Sequence, residues 1–256
     1  RANGIKHIGK LLDALGINWQ ETDIADETSA VETTTEEDQE EASEEVSDIT
    51  STSNTSYLEN DFKIVPYRTA NFQIELEDRM LHLVPKEEIL EWVVAVTNIE
   101  TPVHMTVVTS RICEMAGIGR AGSRVSEAIK KAASLAKRRG LLQRRGDFLF
   151  DKNYSLTIRN RDSFEASEKK FEWISNEELQ IALLHQIRLG ETLTKNSAAR
   201  SVFRSLGFGR VTSAMAVVME TVLKQLRREN IIAETESGEL ILSGDETGES
   251  DVGAEG

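Results

Sequence analysis

Along residues 85–150 the apolar positions follow a helical period three times and then alternate. Three helices are predicted, beginning near positions 85, 106 and 123, because apolar residues there recur at i, i+3 and i+4. Gly117 separates the second helix from the third, and Gly140 ends the third helix. Two short apolar runs around a turn at 145–146 then predict a β-hairpin. The buried stripe of the third helix is predicted to comprise Val125, Ala128, Ile129, Ala132, Leu135 and Ala136.

The same pattern returns ninety residues later in the chain. Four separated segments match in one ungapped register, which indicates an internal duplication. The matching pairs are 117–123 with 207–213, 87–89 with 177–179, 137–138 with 227–228, and 141–142 with 231–232. The helices of the second copy are predicted at 179–189, 197–206 and 213–228, before a hairpin that turns at 237–238.

Three helices with a glycine turn between the second and third, closed by a hairpin, have the order of a winged helix-turn-helix. The sequence therefore predicts a mainly α chain with small β-hairpins, built from tandem winged helix-turn-helix units. The predicted parts are a helical remnant of an upstream domain (1–19), a disordered acidic linker (20–61), a first unit with an N-terminal extension (62–152), a linker (153–174), a second unit (175–243) and a disordered acidic tail (244–256).

Charge is distributed very unevenly along the chain. Residues 21–61 carry fifteen Asp or Glu and no Lys or Arg, which is more than the whole net charge of −14. So few large apolar side chains occur there that folding could not repay the lost chain entropy, so disorder is predicted. The acidic balance therefore says little about the folded part of the chain.

The cysteine count and the hydropathy of the chain bear on the expected cellular location. A single cysteine, Cys113, allows no intramolecular disulfide and fits the expected cytoplasmic location. No apolar run approaches the ~20 residues that a membrane-spanning helix needs, so no membrane partner is expected.

Candidate catalytic and cofactor motifs have simpler interpretations. Residues Gly117 to Gly122 read G-x-G-x-x-G, but a dinucleotide loop requires a preceding strand, and here the preceding period is helical. The four histidines are scattered without the paired spacing of a zinc site. Cys113 lies on the apolar side of its helix and is interpreted as a core residue. The sequence predicts no catalytic residue, no metal and no cofactor.

The strongest functional signal is the charge of the first unit. Residues 101–150 contain ten Lys or Arg against three Asp or Glu, concentrated on the third helix and the hairpin. A cationic third helix and hairpin is typical of a module that lies along phosphates, although an ordinary solvated helix face can also be lysine-rich. The predicted nucleic-acid contacts are Arg120, Ser123, Arg124, Lys130, Lys131, Lys137, Arg138, Arg144 and Arg145.

The second unit has a different third helix. Its residues 175–242 balance eight basic with eight acidic side chains. In place of Arg124, Glu127, Lys130 and Lys131 it has Ala214, Val217, Glu220 and Thr221. A helix that is apolar nearly all round usually packs against something, so this unit is expected to dock on protein, either on the first unit or on another domain.

The chain resembles domain-of-unknown-function family 3320, well over residues 62–150 and more loosely beyond. The segments that carry the resemblance are Pro66-Tyr67-Arg68, Leu81-His82-Leu83-Val84-Pro85, Pro102-Val103-His104, Arg120-Ala121-Gly122-Ser123-Arg124 and Arg144-Arg145-Gly146-Asp147-Phe148-Leu149. That family occurs near the C-terminus of bacterial superfamily 1 helicase-like proteins, which often also carry a very-short-patch-repair-type endonuclease domain. The resemblance implies a parent protein that acts on DNA.

The resulting expectation is a non-catalytic C-terminal region of a helicase–nuclease-like protein, in which the first unit binds nucleic acid, expected to be duplex DNA. The chain itself is not expected to be an enzyme, because no helicase or nuclease motif occurs in it. One alternative is a protein-interaction module that packs on the helicase core without touching nucleic acid. A free-standing transcription regulator is a third class, which the acidic linker and an opening that begins within a pattern make less favourable.

Overall fold

The computed structural model describes residues 62–243. The helical remnant expected at 1–19, the acidic linker at 20–61 and the acidic tail at 244–256 lie outside the described residues. Both units expected within 62–243 can therefore be followed from end to end.

The first unit consists of three helices and a three-stranded sheet. Its elements are β1 (Ile64–Pro66), a 3-10 turn (Leu81–Leu83), α1 (Lys86–Glu100), β2 (Val103–His104), α2 (Met105–Met115), α3 (Ser123–Arg138), β3 (Leu142–Arg145) and β4 (Phe148–Asp151). The sheet has the order β2-β4-β3 and is antiparallel throughout, so the short strand between α1 and α2 pairs with the distal strand of the hairpin.

Local sequence explains the helix boundaries of this unit. Pro85 stands at the N-cap of α1, and Glu87 and Glu88 follow in its first turn, where carboxylates stabilise the positive end of the helix dipole. The His104 side chain accepts a 3.2 Å hydrogen bond from the Thr106 backbone N–H and thereby caps α2. After α2 the chain reverses at Gly117, whose φ of +70° lies in the left-handed region that favours glycine.

The second unit repeats this order of elements. It comprises a 3-10 turn (Phe171–Trp173), α4 (Asn176–Arg188), α5 (Lys195–Ser205), α6 (Ser213–Arg228), β6 (Ile232–Glu234) and β7 (Leu240–Leu242). The bounds of α5 and α6 lie ninety residues beyond those of α2 and α3 at both ends. In place of β2 there is a single antiparallel bridge between Thr194 and Glu239.

Each unit has its own hydrophobic core, and the two cores use corresponding positions. In the first core the fully buried side chains include Val93 of α1, Ile112 of α2 and Ala132 of α3. Ninety residues later the second core is formed around Leu183, Val202 and Val222. The prediction of a mainly α chain with small sheets is confirmed. None of the helices within residues 62–243 is long and apolar enough to cross a membrane.

The stretch 153–174, interpreted from sequence as a linker, is an ordered part of the junction between the units. It contains β5 (Ile158–Asn160), which pairs in parallel with β1, and it ends in the 3-10 turn of the second unit. Ile158 is fully buried, and the neighbouring Arg159 and Arg161 are 6% and 4% exposed. This stretch joins the units through buried structure as well as through the covalent chain.

A buried carboxylate, Glu178 at the start of α4, organises the junction. Its oxygens accept hydrogen bonds from the guanidinium groups of Arg159 (2.6 Å) and Arg161 (2.8 Å), and from the Arg159 backbone N–H (2.9 Å). Arg159 also donates to the carbonyl oxygens of Glu100 and Pro102 in the first unit. Burial by itself would raise the pKa of Glu178, but the two guanidinium groups lower it to about 2.

A second buried carboxylate, Glu100 at the end of α1, continues this network in the first unit. It accepts hydrogen bonds from the Tyr67 hydroxyl (2.9 Å), the Ala70 backbone N–H (2.9 Å) and Arg111 Nε (3.1 Å). Burial is the main reason that the pKa of Tyr67 is raised, so its hydroxyl remains a donor at neutral pH. The network therefore holds the two units together through buried hydrogen bonds and ion pairs.

Candidate nucleic-acid interface

The two faces of α3 differ sharply in burial. Ile129, Ala132, Ala133 and Ala136 are fully buried, so the opposite face of the helix points outward. Five of the predicted contact residues lie exposed on this helix, namely Arg124, Lys130, Lys131, Lys137 and Arg138. The charges that the sequence assigned to α3 therefore stand on a solvent-facing surface.

In the part of the chain that the structure describes, most of these cations have no carboxylate partner. Lys131 forms an ion pair of 2.7 Å with Glu127 one turn earlier, and both side chains are about 65% exposed. An exposed pair of this kind is worth only ~0.3–0.5 kcal/mol and gives way readily to another anion. Within residues 62–243, Arg124, Lys130, Lys137 and Arg138 form no ion pair. The α3 surface thus presents positive charge that the described part of the chain does not neutralise.

The turn before α3 adds to this surface. Arg120 is exposed in the turn, and Ser123 is the exposed first residue of the helix. Gly122 stands at the N-cap, so no side chain caps the first turn, and no acidic residue occurs in that turn. Free backbone N–H groups at the positive end of a helix favour an anion such as phosphate.

The two arginines of the β3–β4 hairpin are held by other groups of the chain. Arg144 Nε donates to the Gly146 carbonyl oxygen at 2.9 Å, which braces the side chain across the turn. Arg145 donates to Glu177 of the second unit at 3.1 Å and lies over the Phe150 ring at 4.6 Å. Their predicted contacts with nucleic acid remain predictions, and Arg145 has the second role of fastening the hairpin to α4.

A cleft of about 770 Å³ lies beside this surface, between α2 and the beginning of α3. Arg120 and Lys130 reach its wall, which also includes Thr106 and the exposed carboxylate of Glu168. Cys113 lines the cleft but is buried, and burial raises the pKa of its thiol, which disfavours the reactive thiolate.

The glycine-rich segment does not have the context of a dinucleotide site. The residues before Gly117 form α2 and not a strand, and the Gly117 N–H donates to the Glu114 carbonyl oxygen as part of the helix end. The interpretation of these glycines as a turn between two helices is confirmed.

In the second unit the corresponding helix face is uncovered. Ala214, Val217, Glu220 and Thr221 are all exposed, and Val217 keeps 62% of its surface accessible. Among the described residues, therefore, the first unit does not cover this face. A groove of about 480 Å³ with Leu223 in its lining runs along it.

Two features of the surface and junction were missed from sequence. Arg159 and Arg161 were placed in a linker, because their stretch has no apolar period that would have marked it as buried. Arg200 and Arg204 on α5 were hidden by an even charge count over the whole unit. The signal that could have revealed them is local, since residues 192–219 contain four basic and no acidic residues.

One comparison with known proteins gives a match. The family described as "Protein of unknown function (DUF3320)" matches residues 79–127, which run from just before the 3-10 turn of the first unit into α3. No curated protein matches the chain, and no solved structure does. The match covers the α1–α2 pair and the beginning of the cationic helix, and the chain is similar to that family over this segment.

Proposed function

We propose that the chain is a non-catalytic nucleic-acid-binding region made of two winged helix-turn-helix units. The support is topological, since in each unit three helices are followed by a hairpin. In the first unit β2, before the second helix, pairs with the last strand of the hairpin. In the second unit Thr194, at the same place, forms a bridge to Glu239, just before the last strand. The hairpin is the wing, and α3 has the position of the helix that enters the major groove of DNA in such folds.

The observation that carries the proposal is the cationic face of α3, on which Arg124 and Arg138 form no ion pair within residues 62–243 and Lys131 has only an exposed pair with Glu127. Arg124, Lys131 and Arg138 recur at seven-residue spacing, two helical turns apart, so they form a row along the exposed side. Each Lys or Arg that contacts a phosphate releases condensed counterions, and a row of them binds a duplex in a salt-dependent way.

The proposal includes a larger protein. The chain resembles family 3320, which occurs near the C-terminus of helicase-like proteins. We infer that this region positions a helicase motor or a nuclease on DNA. The chain contributes contacts and orientation, and the chemistry belongs to the rest of the parent protein.

Reversing two charges of the row tests the proposal. With the 256-residue chain and a fluorescein-labelled DNA duplex, Arg124→Glu combined with Lys131→Glu is expected to weaken binding by at least about tenfold at low salt. The slope of log K against log salt should become shallower by about 1.8, or 0.9 for each phosphate that the variant no longer neutralises. Fluorescence anisotropy over a salt series measures both quantities.

The control makes the same change in charge elsewhere on the surface. Lys86 in the first turn of α1 and Lys224 on α6 are exposed, and Lys224 pairs with Glu220 as Lys131 pairs with Glu127. Lys86→Glu combined with Lys224→Glu should change the slope much less. Equal losses in the two double variants, or affinity that does not depend on salt, would refute the α3 contact.

The exposed apolar face of α6 supports a protein partner for the second unit. We propose that Val217 and its neighbours dock on an upstream domain of the parent protein. The variant Val217→Asp is expected to abolish capture of that upstream domain in a pull-down performed with nuclease present, because it would bury an unpaired carboxylate at the interface. Thr221→Ser, on the same face, should leave capture intact, and capture by the Val217→Asp variant would exclude this docking surface.

A further inference from the structure

Four of the eight basic residues of the second unit lie on its second helix and in the following turn. Lys195, Arg200, Arg204 and Arg210 are the charged residues of the stretch 192–219, and all four are exposed. The eight acidic residues of this unit lie outside that stretch. The even balance of the unit as a whole therefore conceals a segment of one sign.

We propose that Arg200 and Arg204 of α5, which we call the α5 row, form a second phosphate-binding surface for the same nucleic acid. The proposal rests on the function proposed above and extends it to the second unit. Arg200 and Arg204 stand one helical turn apart on the same face of α5. The structure gives neither side chain an ion pair or a hydrogen bond within residues 62–243.

The two arginines line one groove of the second unit. This groove of about 390 Å³ has a wall that also includes the hydroxyls of Ser197, Ser201 and Ser205. The three hydroxyls already donate to acceptors of the chain. Contact with phosphate oxygens therefore falls to the two guanidinium groups, whose planar donors match phosphate geometry. The carboxylate of Glu191 also reaches the groove, where it accepts a 2.6 Å hydrogen bond from the Ser201 hydroxyl.

This surface is particular to the second unit. At the positions ninety residues earlier, α2 has Ser110 and Glu114, so the first unit lacks the pair. Conversely, α6 has Ala214 and Thr221 where α3 has Arg124 and Lys131. The pair of exposed arginines on α5 thus has no counterpart in the first unit, and Arg124 and Lys131 of α3 have none in the second.

The junction keeps α5 in a fixed relation to the first unit. The carbonyl oxygen of Ser205 accepts a hydrogen bond from the Asn160 side chain, and the Arg161 N–H donates to the Leu206 carbonyl oxygen, both at 3.0 Å. Asn160 belongs to β5, which pairs with β1. The α5 row therefore stands at a set separation from the first unit, without a flexible connection between them.

The test is a salt series of anisotropy measurements on the 256-residue chain with a labelled DNA duplex. Arg200→Gln with Arg204→Gln is expected to lower affinity about tenfold at low salt and to make the log–log slope shallower by about 1.8. The control, Lys63→Gln with Lys86→Gln, removes two exposed charges outside both surfaces. Arg200→Lys with Arg204→Lys should retain most of the slope, and thermal melting checks that all variants fold.

The outcomes separate this inference from the proposed function. If the α5 variant behaves as the control while Arg124→Glu with Lys131→Glu weakens binding, the α5 surface is wrong and the α3 surface stands. If only the α5 variant weakens binding, the α5 surface stands and the first-unit contact is wrong. When both weaken binding, the combined variant should lose the sum of the two slopes. No salt-dependent binding by the unaltered chain would overturn both.

Discussion

Replacing Glu178 by glutamine is expected to lower the free energy of unfolding by about 3–5 kcal/mol. The change leaves two guanidinium groups, of Arg159 and Arg161, buried at the junction without a counter-charge. Glutamine keeps the shape of the side chain, so the loss reports on charge rather than on a cavity. Urea unfolding followed by circular dichroism measures it.

The repeat supplies a matched control for this experiment. Ninety residues earlier Glu88 accepts two hydrogen bonds from Arg79, at 3.0 and 3.1 Å, but both side chains are about one-third exposed. Glu88→Gln is therefore expected to cost at most about 1 kcal/mol. Equal losses for the two variants would contradict the role given to the buried network.

The Glu178 carboxylate also makes the free energy of unfolding depend on pH in the acid range. Its folded-state pKa of about 2 lies below the ordinary value of 4.5, so the charged form is favoured by folding. The stabilisation is complete above about pH 4.5 and is lost progressively as the pH falls toward 2. In Glu178→Gln this contribution to the pH profile should be missing, which a comparison of unfolding curves between pH 5 and pH 3 would reveal.

Gly207→Ala is expected to be the second most damaging of these substitutions. A methyl carbon at this position would lie 2.6 Å from the Asp162 backbone nitrogen and 2.9 Å from the Arg161 carbonyl carbon. The residue also has a φ of +91°. The left-handed backbone costs about 1–2 kcal/mol for alanine, and displacement of residues 161–162 adds about 1–3 kcal/mol.

Gly117→Ala separates these two contributions. Gly117 is the corresponding residue of the first unit, with a φ of +70°, but an added methyl carbon would meet no atom of residues 62–243 within 4 Å. It should lose only the backbone contribution of about 1–2 kcal/mol. The difference between the two alanine variants, measured by thermal unfolding, reports how tightly the turn of the second unit is packed against residues 161–162. A smaller loss for Gly207→Ala than for Gly117→Ala would show that this packing is not maintained.

The helices could be predicted from sequence because their signals are local. Apolar period, Pro85 at a helix start and the glycine of each inter-helix turn all act within a few residues, and the offset of ninety let each copy support the other. The exposed charges of α3 followed from the same period, since the face opposite a buried stripe must point to solvent.

The junction could not be predicted because nothing local marks it. The three-residue strand β5 contains Arg159 and is followed by Arg161, a composition typical of a loop. Only the carboxylate of Glu178, from α4, makes the burial of both arginines tolerable. Likewise, the partner of Arg145 is 32 residues away in α4, so its sequence neighbours indicated only a charged hairpin. The α5 row was concealed for a different reason. A charge count over the whole second unit adds basic and acidic residues without regard to where they lie along the chain.

The parallel pairing of β1 with β5 decides where this chain can be divided. A fragment that started at residue 79, where the family match begins, would lack β1 together with the Tyr67 and Ala70 donors that satisfy Glu100. A cut between the two units would instead remove the hydrogen bonds that the Arg159 guanidinium group donates to carbonyl oxygens of the first unit. Because these contacts link the two units, we expect both cores to unfold in a single transition.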